Sequence, residues 1–565
     1  MFTSKNVVFQ WKILNQKKEE SDKDKVEEIV NIILKNRGLK TKKEIKNFLN
    51  PLHPSEYKLN ELGIDKKEVT KAIKRIIRAI EKKESIVVYA DYDADGVCAG
   101  TIVWEVLHQL GANVMPYIPH RKEEGYGLSK LGIDKVKKEF NPKLIITVDH
   151  GISASDKIKY AQKLGMDIIV IDHHVKSRKP PALAIIHSTQ LCASGVSWVF
   201  IRELAQQVNL NKQKIDLYLD LVALATIADL VPLLGPNRSI VKYGLEKLNK
   251  TNRVGLLALI NSAALEKGKI GVVEVGHMIA PRINAMGRLM HALDAMRLLC
   301  TPDVDRAYNL ANTLNLTNRK RQLLTADTIL HAKNLYREFK KDSKLIFIAH
   351  ESYNQGIIGL VAGKLVEEYF RPAIVVSKGE IFSKASARSV VGFNIIETIR
   401  KADELLVDSG GHPMAAGFTV KTEYIEKLRQ KLEKIVDGEL KDKSLIRALN
   451  IDCQMDLTDI NWNLYQKLKT LEPFGVGNPE PLFVARSVVI EGLKLVGRDS
   501  KHIKMNLSNG NGYNISAIAF GLGSLYRDLF DRKPIDIAFT MDEDRWNGES
   551  KLQLKIKDVK ISQKN

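Results

Sequence analysis

Between Ser85 and Asp172 one pattern recurs: a short run of β-branched apolar residues, a polar residue at its end, then a stretch with helical spacing. Strands buried on both faces and joined by helices assemble as a parallel α/β sheet, so this alternation restricts the fold more than any other feature. We expect strands at Ile86–Ala90, 114–118, Leu144–Val148 and 168–171, with a helix over 97–110. The first strand empties into Asp91-Tyr92-Asp93-Ala94-Asp95-Gly96, the third into Asp149 and the fourth into Asp172-His173-His174. In open parallel sheets ligands bind beyond the carboxyl ends of the strands, where all of these residues fall.

If Asp91, Asp93 and Asp95 stay extended, their carboxylates lie on one side at about 7 Å intervals. Like charges that close raise one another's pKa unless something positive sits among them, and oxygen donors suit a hard cation, Mg²⁺ or Mn²⁺. The alternative is a solvated Asp-rich turn that caps the next helix. An EF-hand is disfavoured, because Trp104 and Glu105 stand where its closing Glu belongs. Asp229, ending an apolar helical stretch over 219–230, is misplaced with respect to the helix dipole, and a nearby metal would account for it. No Ser-His-Asp arrangement or cysteine nucleophile is evident. Cys98, Cys192, Cys300 and Cys453 lie far apart without C-x-x-C spacing and read as buried thiols of a reducing compartment.

The net charge of +20 favours a polyanionic partner. With no apolar run near 18 residues and no signal peptide, a cytoplasmic nucleic-acid partner is expected rather than a membrane. Residues 1–80 read as a helical lead-in, with helices near 26–34 and 69–80; Trp11 there and Trp104 beyond it are expected to fill core rather than stack on bases. Residues 303–341 read as helix containing Asn318-Arg319-Lys320-Arg321-Gln322, before a second α/β region that begins near Lys344. Its first strand, near 345–349, precedes Gly356 and Gly359, which open a helix whose free amides suit an anion. Beyond Asp452, β-like runs at 482–490, 502–507, 513–520, 535–540 and 552–559, with Asn509-Gly510 and Asn547-Gly548 as hairpin signals, suggest a small barrel. Within it Phe520 is expected in the core, Tyr526 and Trp546 can stack on bases, and 560–565 is a frayed tail.

Taken in order, Asp91-Tyr92-Asp93-Ala94-Asp95-Gly96, Thr147-Val148-Asp149-His150-Gly151-Ile152-Ser153, Asp172-His173-His174 and Ala225-Thr226-Ile227-Ala228-Asp229-Leu230-Val231-Pro232-Leu233 resemble the motifs of the DHH phosphoesterase superfamily. Within it the chain is similar to the RecJ family of single-strand-specific DNA exonucleases. The likeness continues through Pro281-Arg282-Ile283-Asn284-Ala285-Met286-Gly287-Arg288, Gly356-Ile357-Ile358-Gly359, Ser386-Ala387-Arg388-Ser389 and the Gly410–Gly417 stretch, and so spans nearly the whole chain.

The resemblance implies an α/β fold with an appended all-β domain. After the 1–80 lead-in come a DHH parallel-sheet domain over 81–235, a helical connector over 236–341, a DHH-associated α/β domain over 342–445 and an OB-fold domain over 450–565. It implies two divalent ions, Mn²⁺ or Mg²⁺, held by Asp91, Asp93, Asp95, Asp149, His173, His174 and Asp229. Asp149 would bridge; Asp95, His173 and Asp229 would complete one ion and Asp91 or Asp93 the other, with His174 behind them or on phosphate. Arg121, Arg282, Arg288, Ser386, Arg388 and His412 would grip the scissile phosphate and the 5′ end, and Trp546 would stack on a base. One departure is Tyr89, where such chains often carry His. The implied activity is 5′→3′ hydrolysis of single-stranded DNA to 5′-mononucleotides in DNA repair and recombination. A monomer is expected, with single-stranded-DNA-binding protein and a RecQ-type helicase as partners. Two other classes share parts of this pattern: a DHH enzyme acting on small nucleotides or pyrophosphate, which needs neither the barrel nor the charge, and a non-catalytic scaffold, which would have lost ligands.

Overall fold

The computed structural model describes residues 9–15, 25–175, 179–338, 343–441, 445–531, 533–544 and 549–562. Its contacts separate two compact units: residues 53–231 with 239–445, and residues 1–52 with 232–238 and 446–565.

The larger unit carries the expected parallel sheet. Its strands run in the order Val114–Tyr117, Ile86–Ala90, Leu144–Val148, Asp167–Asp172, Ala184–His187, all parallel. The last of these is an addition to the sequence expectation. All five residues of Ile86–Ala90 and of Leu144–Val148 are buried, so both faces are covered, as uniformly apolar strands require. Val87, Tyr89, Ile145 and Val170 point to the face that packs Ile133, Val136 and Ile158 of the helices Lys130–Phe140 and Ser155–Lys163. From Ile86–Ala90 the chain crosses first to Val114–Tyr117 on one side and then to Leu144–Val148 on the other. The crevice beyond those two central strands is therefore the topological switch point. Helices continue from Val254–Ser262 through Ala280–Leu289 and Leu293–Cys300 to the 35-residue helix Val304–Glu338. A second sheet follows in the order Leu406–His412, Ala415–Lys421, Phe382–Arg388, Ala373–Ser377, Ile346–His350; only the last two pair in parallel.

In the smaller unit the strand Phe483–Val496 pairs with His502–Ser508 along one part and Ile535–Asp544 along another, curling the sheet closed through register shifts after Ile490 and Ala485. With Asn514–Ala519 and Lys551–Ile561 these are the five expected strands, joined by a short parallel strand Cys453–Gln454. Three sequence expectations change here. Phe520 is 56% exposed, because it follows the end of Asn514–Ala519 and rests edge-on to His502 instead of continuing into the core. The chain end is not all tail, since Lys560 and Ile561 still pair in a strand. Trp546 and the Asn547-Gly548 turn lie outside the described residues.

Residues 1–80 are not one helical lead-in. Phe9–Ile13 is a strand, parallel to Arg447–Ile451, and Trp11 is half-buried with its Nε1 donating to Asp558. The helix Lys25–Asn36 places Val26, Ile29, Val30 and Ile33 in the barrel's own core, whereas Lys66–Glu81 packs in the larger unit. Short amphipathic helices have no stable place alone, and sequence spacing does not say which core takes each face. Trp104 is half-buried and stacked on His108. Among the described residues no helix is long and apolar enough to cross a membrane.

The first helix is fixed by a buried ion pair. Arg37 Nη1 and Nη2 donate to Asp452 Oδ1 and Oδ2 at 2.7 and 3.2 Å, with the two side chains 5% and 4% exposed. Removing either partner leaves a buried charge alone. Arg37→Ala is expected to destabilise this unit by about 3–5 kcal/mol in denaturant unfolding, against about 1 kcal/mol for Lys25→Ala, whose side chain is 65% exposed where it pairs with the buried Asp459.

Candidate metal centre and phosphate clamp

The acidic motif does not continue as an extended strand. Asp91 keeps the strand direction, its amide donating to Val148 O, but Asp93 is the N-cap of the helix Ala94–Gln109 and accepts from the amides of Asp95 and Gly96. The capping turn expected as the alternative is thus present, and the turn, not strand alternation, sets Asp91 and Asp93 in one group with Asp149. Asp95, in the first helical turn, accepts from the amides of Ala193 and Ser194 at 2.7 Å each, at the start of the helix Ala193–Gln207. That helix N-terminus suits a buried carboxylate.

Asp149 follows the next strand in a left-handed conformation, φ 68°, which costs a non-glycine residue energy and recurs at functional sites. His173 Nε2 lies 3.3 Å from Asp149 Oδ1, 3.8 Å from Asp229 Oδ2 and 3.9 Å from Asp95 Oδ2, so four distant segments meet at one imidazole. Asp229 is the C-cap of the helix Leu219–Ala228. Three sets of donor atoms lie within 4.8 Å of one another: Asp91, Asp93 and Asp149; Asp95, His173 and Asp229; Asp149, His173 and His174. Asp149 and His173 each belong to two sets.

The electrostatics are those of a centre built for cations. Burial pushes the Asp91 carboxyl well up, with Asp93 adding to it; burial and then Asp95 raise Asp93; burial and then Asp95, Asp93 and Asp91 raise Asp149. Burial and then Asp95 and Asp93 push Asp229 to about 8. Asp91 Oδ1 is buried without a hydrogen-bond partner. A buried orphan oxygen among crowded carboxylates and imidazoles fits divalent ions of the Mg²⁺ or Mn²⁺ kind. Burial lowers His173, favouring the neutral, ligating form.

Asp172, which the expected ligand set omits, orients the His174 imidazole and holds the backbone of both histidines. Its Oδ1 accepts from the His173 and His174 amides and lies 2.8 Å from His174 Nδ1, while Oδ2 accepts from the Ile152 amide. Burial opposes its charge, but the His174 hydrogen bond and these amides hold it at about 2. Burial would likewise lower His174, yet the bond to Asp172 raises it. Its position in the Asp-His-His triplet was the available signal. Tyr89 lies outside the acidic group: its ring packs edge-on to His150, and its hydroxyl reaches Gly127 O at 3.5 Å. The thiols of Cys98 and Cys192 are pushed up by burial and cannot serve as nucleophiles.

Beside the acids stands a group of guanidiniums. The helix Ala280–Leu289 is pressed onto the aspartate turn: Asn284 Oδ1 accepts from the Ala94 amide, and a Cβ on Gly287 would fall 2.3 Å from Tyr92 O. This close approach delivers Arg288, which donates to Gly356 O and is lowered to about 10 by burial and by the charges of Arg121, Arg321 and Arg388. Arg388 donates to Ser386 Oγ, and both side chains adjoin Gly359 at the start of the helix Ile358–Tyr369. Arg121 lies over the Tyr92 ring at 4.9 Å. Thus Arg121, Arg288, Ser386 and Arg388 are brought together, and Arg321, hidden in a basic helical run, joins them. Arg282 is not: it turns to Met278 O and Asn315. His412 is exposed at the end of an edge strand, and neither bonds to this group among the described residues.

Comparisons with known proteins place the chain in a family. Family models match for the DHH family N-terminal domain over residues 85–226, the DHHA1 domain over 342–438 and the RecJ OB domain over 451–558. The single-stranded-DNA-specific exonuclease RecJ of Bacillus subtilis is 35% identical over 547 residues, 95% of this chain and 68% of that protein. The RecJ of Thermus thermophilus is 31% identical over 490 residues, 85% of this chain and 69% of that one. The crystal structure of the Thermus thermophilus RecJ with Mn²⁺ superposes with a TM-score of 0.79 at 27% identity, covering 95% of this chain and 77% of that one; its Mg²⁺ complex gives 0.75.

The raised carboxyls set a pH signature. In chelated protein each contributes stability that is full below the unperturbed value of 3.8 and is lost as pH rises through the folded value, about 8 for Asp229. A bound cation reverses that loss because it needs the carboxylates deprotonated. The rise in unfolding temperature on adding Mn²⁺ is expected to be larger near pH 8 than near about pH 5.5. Asp149→Ala should flatten that difference, and equal increments at the two pH values would contradict the assignment.

Proposed function

The chain belongs to the RecJ family of DHH phosphoesterases, and from that premise we propose that it degrades single-stranded DNA from the 5′ end, releasing 5′-mononucleotides at a centre that holds two divalent ions. It is a metal-dependent exonuclease using Mn²⁺ or Mg²⁺. The observation that carries the finer reading is the meeting of Asp95, Asp149 and Asp229 at His173 Nε2, with a guanidinium group next to it.

In this reading Asp91, Asp93 and Asp149 would hold one ion and Asp95, His173 and Asp229 the other, with Asp149 and His173 between them. When bound, paired ions supply water activated near neutral pH and neutralise charge on the leaving oxygen. The rest of the work falls to side chains. Asp172 keeps the His174 ring turned so that Nε2 faces the Tyr126 hydroxyl at 3.4 Å, at the rim of the centre. Arg121, Arg288 and Arg388, with Ser386, bind phosphate oxygens; planar guanidinium forks match that geometry. Several guanidiniums on one anion suit a terminal phosphate monoester, which carries about −1.5 to −2 charge, better than an internal diester. Arg121 and Arg288 come from the first half of the larger unit, Arg388 from its second sheet. A strand entering between them would be tracked by its backbone, which favours one strand over a duplex.

The barrel would hold the trailing strand, with exposed Phe520 offering a stacking surface. Such an activity serves DNA repair and recombination alongside single-stranded-DNA-binding protein and a RecQ-type helicase. A small-nucleotide phosphodiesterase is the second reading, and the shared DHH centre is what favours it.

One digestion separates these possibilities. Oligonucleotides labelled at the 5′ or the 3′ end, single- or double-stranded, are incubated with Mn²⁺ or Mg²⁺ beside a dinucleotide. Early release of the 5′ label as mononucleotide from single strands is expected; release of the 3′ label first, or cleavage of the dinucleotide alone, overturns the proposal. Asp149→Ala should bind single-stranded DNA as the wild type does and lose hydrolysis by about a thousandfold or more.

A further inference from the structure

Arg121 is carried on the segment that links the strand Val114–Tyr117 to the helix Lys130–Phe140, and this segment has no regular structure of its own to hold it. Glu124 is only 3% exposed although it sits in a loop. Its Oε2 accepts from the Tyr117 hydroxyl at 2.6 Å, and its Oε1 accepts from the His120 amide at 3.2 Å and from Lys135 Nζ at 3.0 Å. The Glu124 amide in turn donates to His120 O at 2.8 Å, so residues 120–124 close into a ring around that carboxylate with Arg121 inside it. Two residues further on, the Tyr126 hydroxyl donates to Asp149 O.

The network reaches the sheet through Tyr89. A Cβ built on Gly132 would lie 2.2 Å from Tyr89 Oη and 3.0 Å from Glu124 Oε2, which places both oxygens against the same helical turn and leaves room there only for glycine. The Tyr89 ring packs on Tyr117 at 4.8 Å. Tyr89 is the strand residue two before Asp91, so the strand that supplies the acids also supports the post that holds the arginine loop. Burial works against the Glu124 charge, but the Tyr117 hydroxyl, the His120 amide and Lys135 together keep it ionised, as a buried anchor must be.

We propose that Glu124 is a positioning residue for the phosphate clamp: bonded to Tyr117, Lys135 and the His120 amide, it sets the place of Arg121 and thereby governs affinity for the phosphorylated end of the substrate. The inference rests on the exonuclease reading above. Glu124 belongs to none of the sets of potential metal donors, so its loss is expected in binding and not in the hydrolytic step. The charge-assisted bonds from Lys135 and the amide are the ones whose loss frees the loop.

The test measures KM and kcat on 5′-phosphorylated single-stranded DNA for wild type, Glu124→Ala, Glu124→Gln, Tyr117→Phe, Arg121→Ala and the Glu124→Ala/Arg121→Ala double variant. Glu124→Ala is expected to raise KM about tenfold with kcat within about twofold and with the half-saturating Mn²⁺ concentration unchanged. Glu124→Gln keeps one acceptor oxygen for the His120 amide and Lys135 and can turn its amide nitrogen to the Tyr117 hydroxyl as a donor, but it lacks the charge, so it should recover part of the loss. In the Arg121→Ala background the Glu124 substitution should add less than about twofold, because its effect passes through Arg121. Tyr117→Phe removes one hydroxyl and reads the same network if the alanine variant fails to fold; a KM rise supports the proposal. Wild-type KM in Glu124→Ala or Tyr117→Phe, or full multiplication of the Glu124 and Arg121 effects, overturns it while leaving the clamp intact. An unchanged KM in Arg121→Ala would instead remove the clamp itself, and this inference with it.

Discussion

Repulsion among buried carboxylates is the constraint around which the larger unit is arranged. Asp91, Asp93, Asp149 and Asp229 are all held above the ordinary aspartate range by burial and by one another. A fold tolerates such a cluster only if much else holds it in place. Here the holding groups are identifiable: Val148 O takes the Asp91 amide, the first turn of Ala94–Gln109 supplies amides to Asp93, and the N-terminus of Ala193–Gln207 supplies two to Asp95. The parallel sheet brings these pieces to one edge and concentrates their charge there.

The guanidiniums are the mirror image of that problem. Arg288 is lowered to about 10 by burial and by three neighbouring arginines. Positive and negative clusters side by side do not simply neutralise each other, because each is tied to its own scaffold. Gly287 lets its helix lie on the Tyr92 carbonyl, and this close approach sets where Arg288 stands relative to Asp93. The loop around Glu124 does the corresponding task for Arg121.

How far these features were legible differs from residue to residue. Asp149, His173 and Asp229 could be picked out because acids and imidazoles directly after apolar runs have no role in a core. Asp172 was overlooked as a separate agent because an orienting carboxylate and a ligating one look the same in a sequence. Arg282 and Arg288 share one motif and were indistinguishable, yet the helix sends one to Met278 O and the other to Gly356 O among the remaining arginines. Phe520 looked like core because its neighbours alternate, but the strand stops one residue earlier. The N-terminal helices were visible as amphipathic segments, while their partners were not.

Apolar periodicity and the chemistry of the residues that interrupt it determined, with no coordinates, a parallel α/β sheet bearing acids at its strand ends and a β-rich region at the far end of the chain. These are local properties, written in spacings of two and of three or four residues. Which acids and imidazoles lie together, which arginines gather beside them and which core receives the first helix were decided by tertiary structure alone. Those relations join residues such as Asp95 and Ser194, or Arg37 and Asp452, that are far apart in the chain. Only closure of the packed fold converts their separation in sequence into contact.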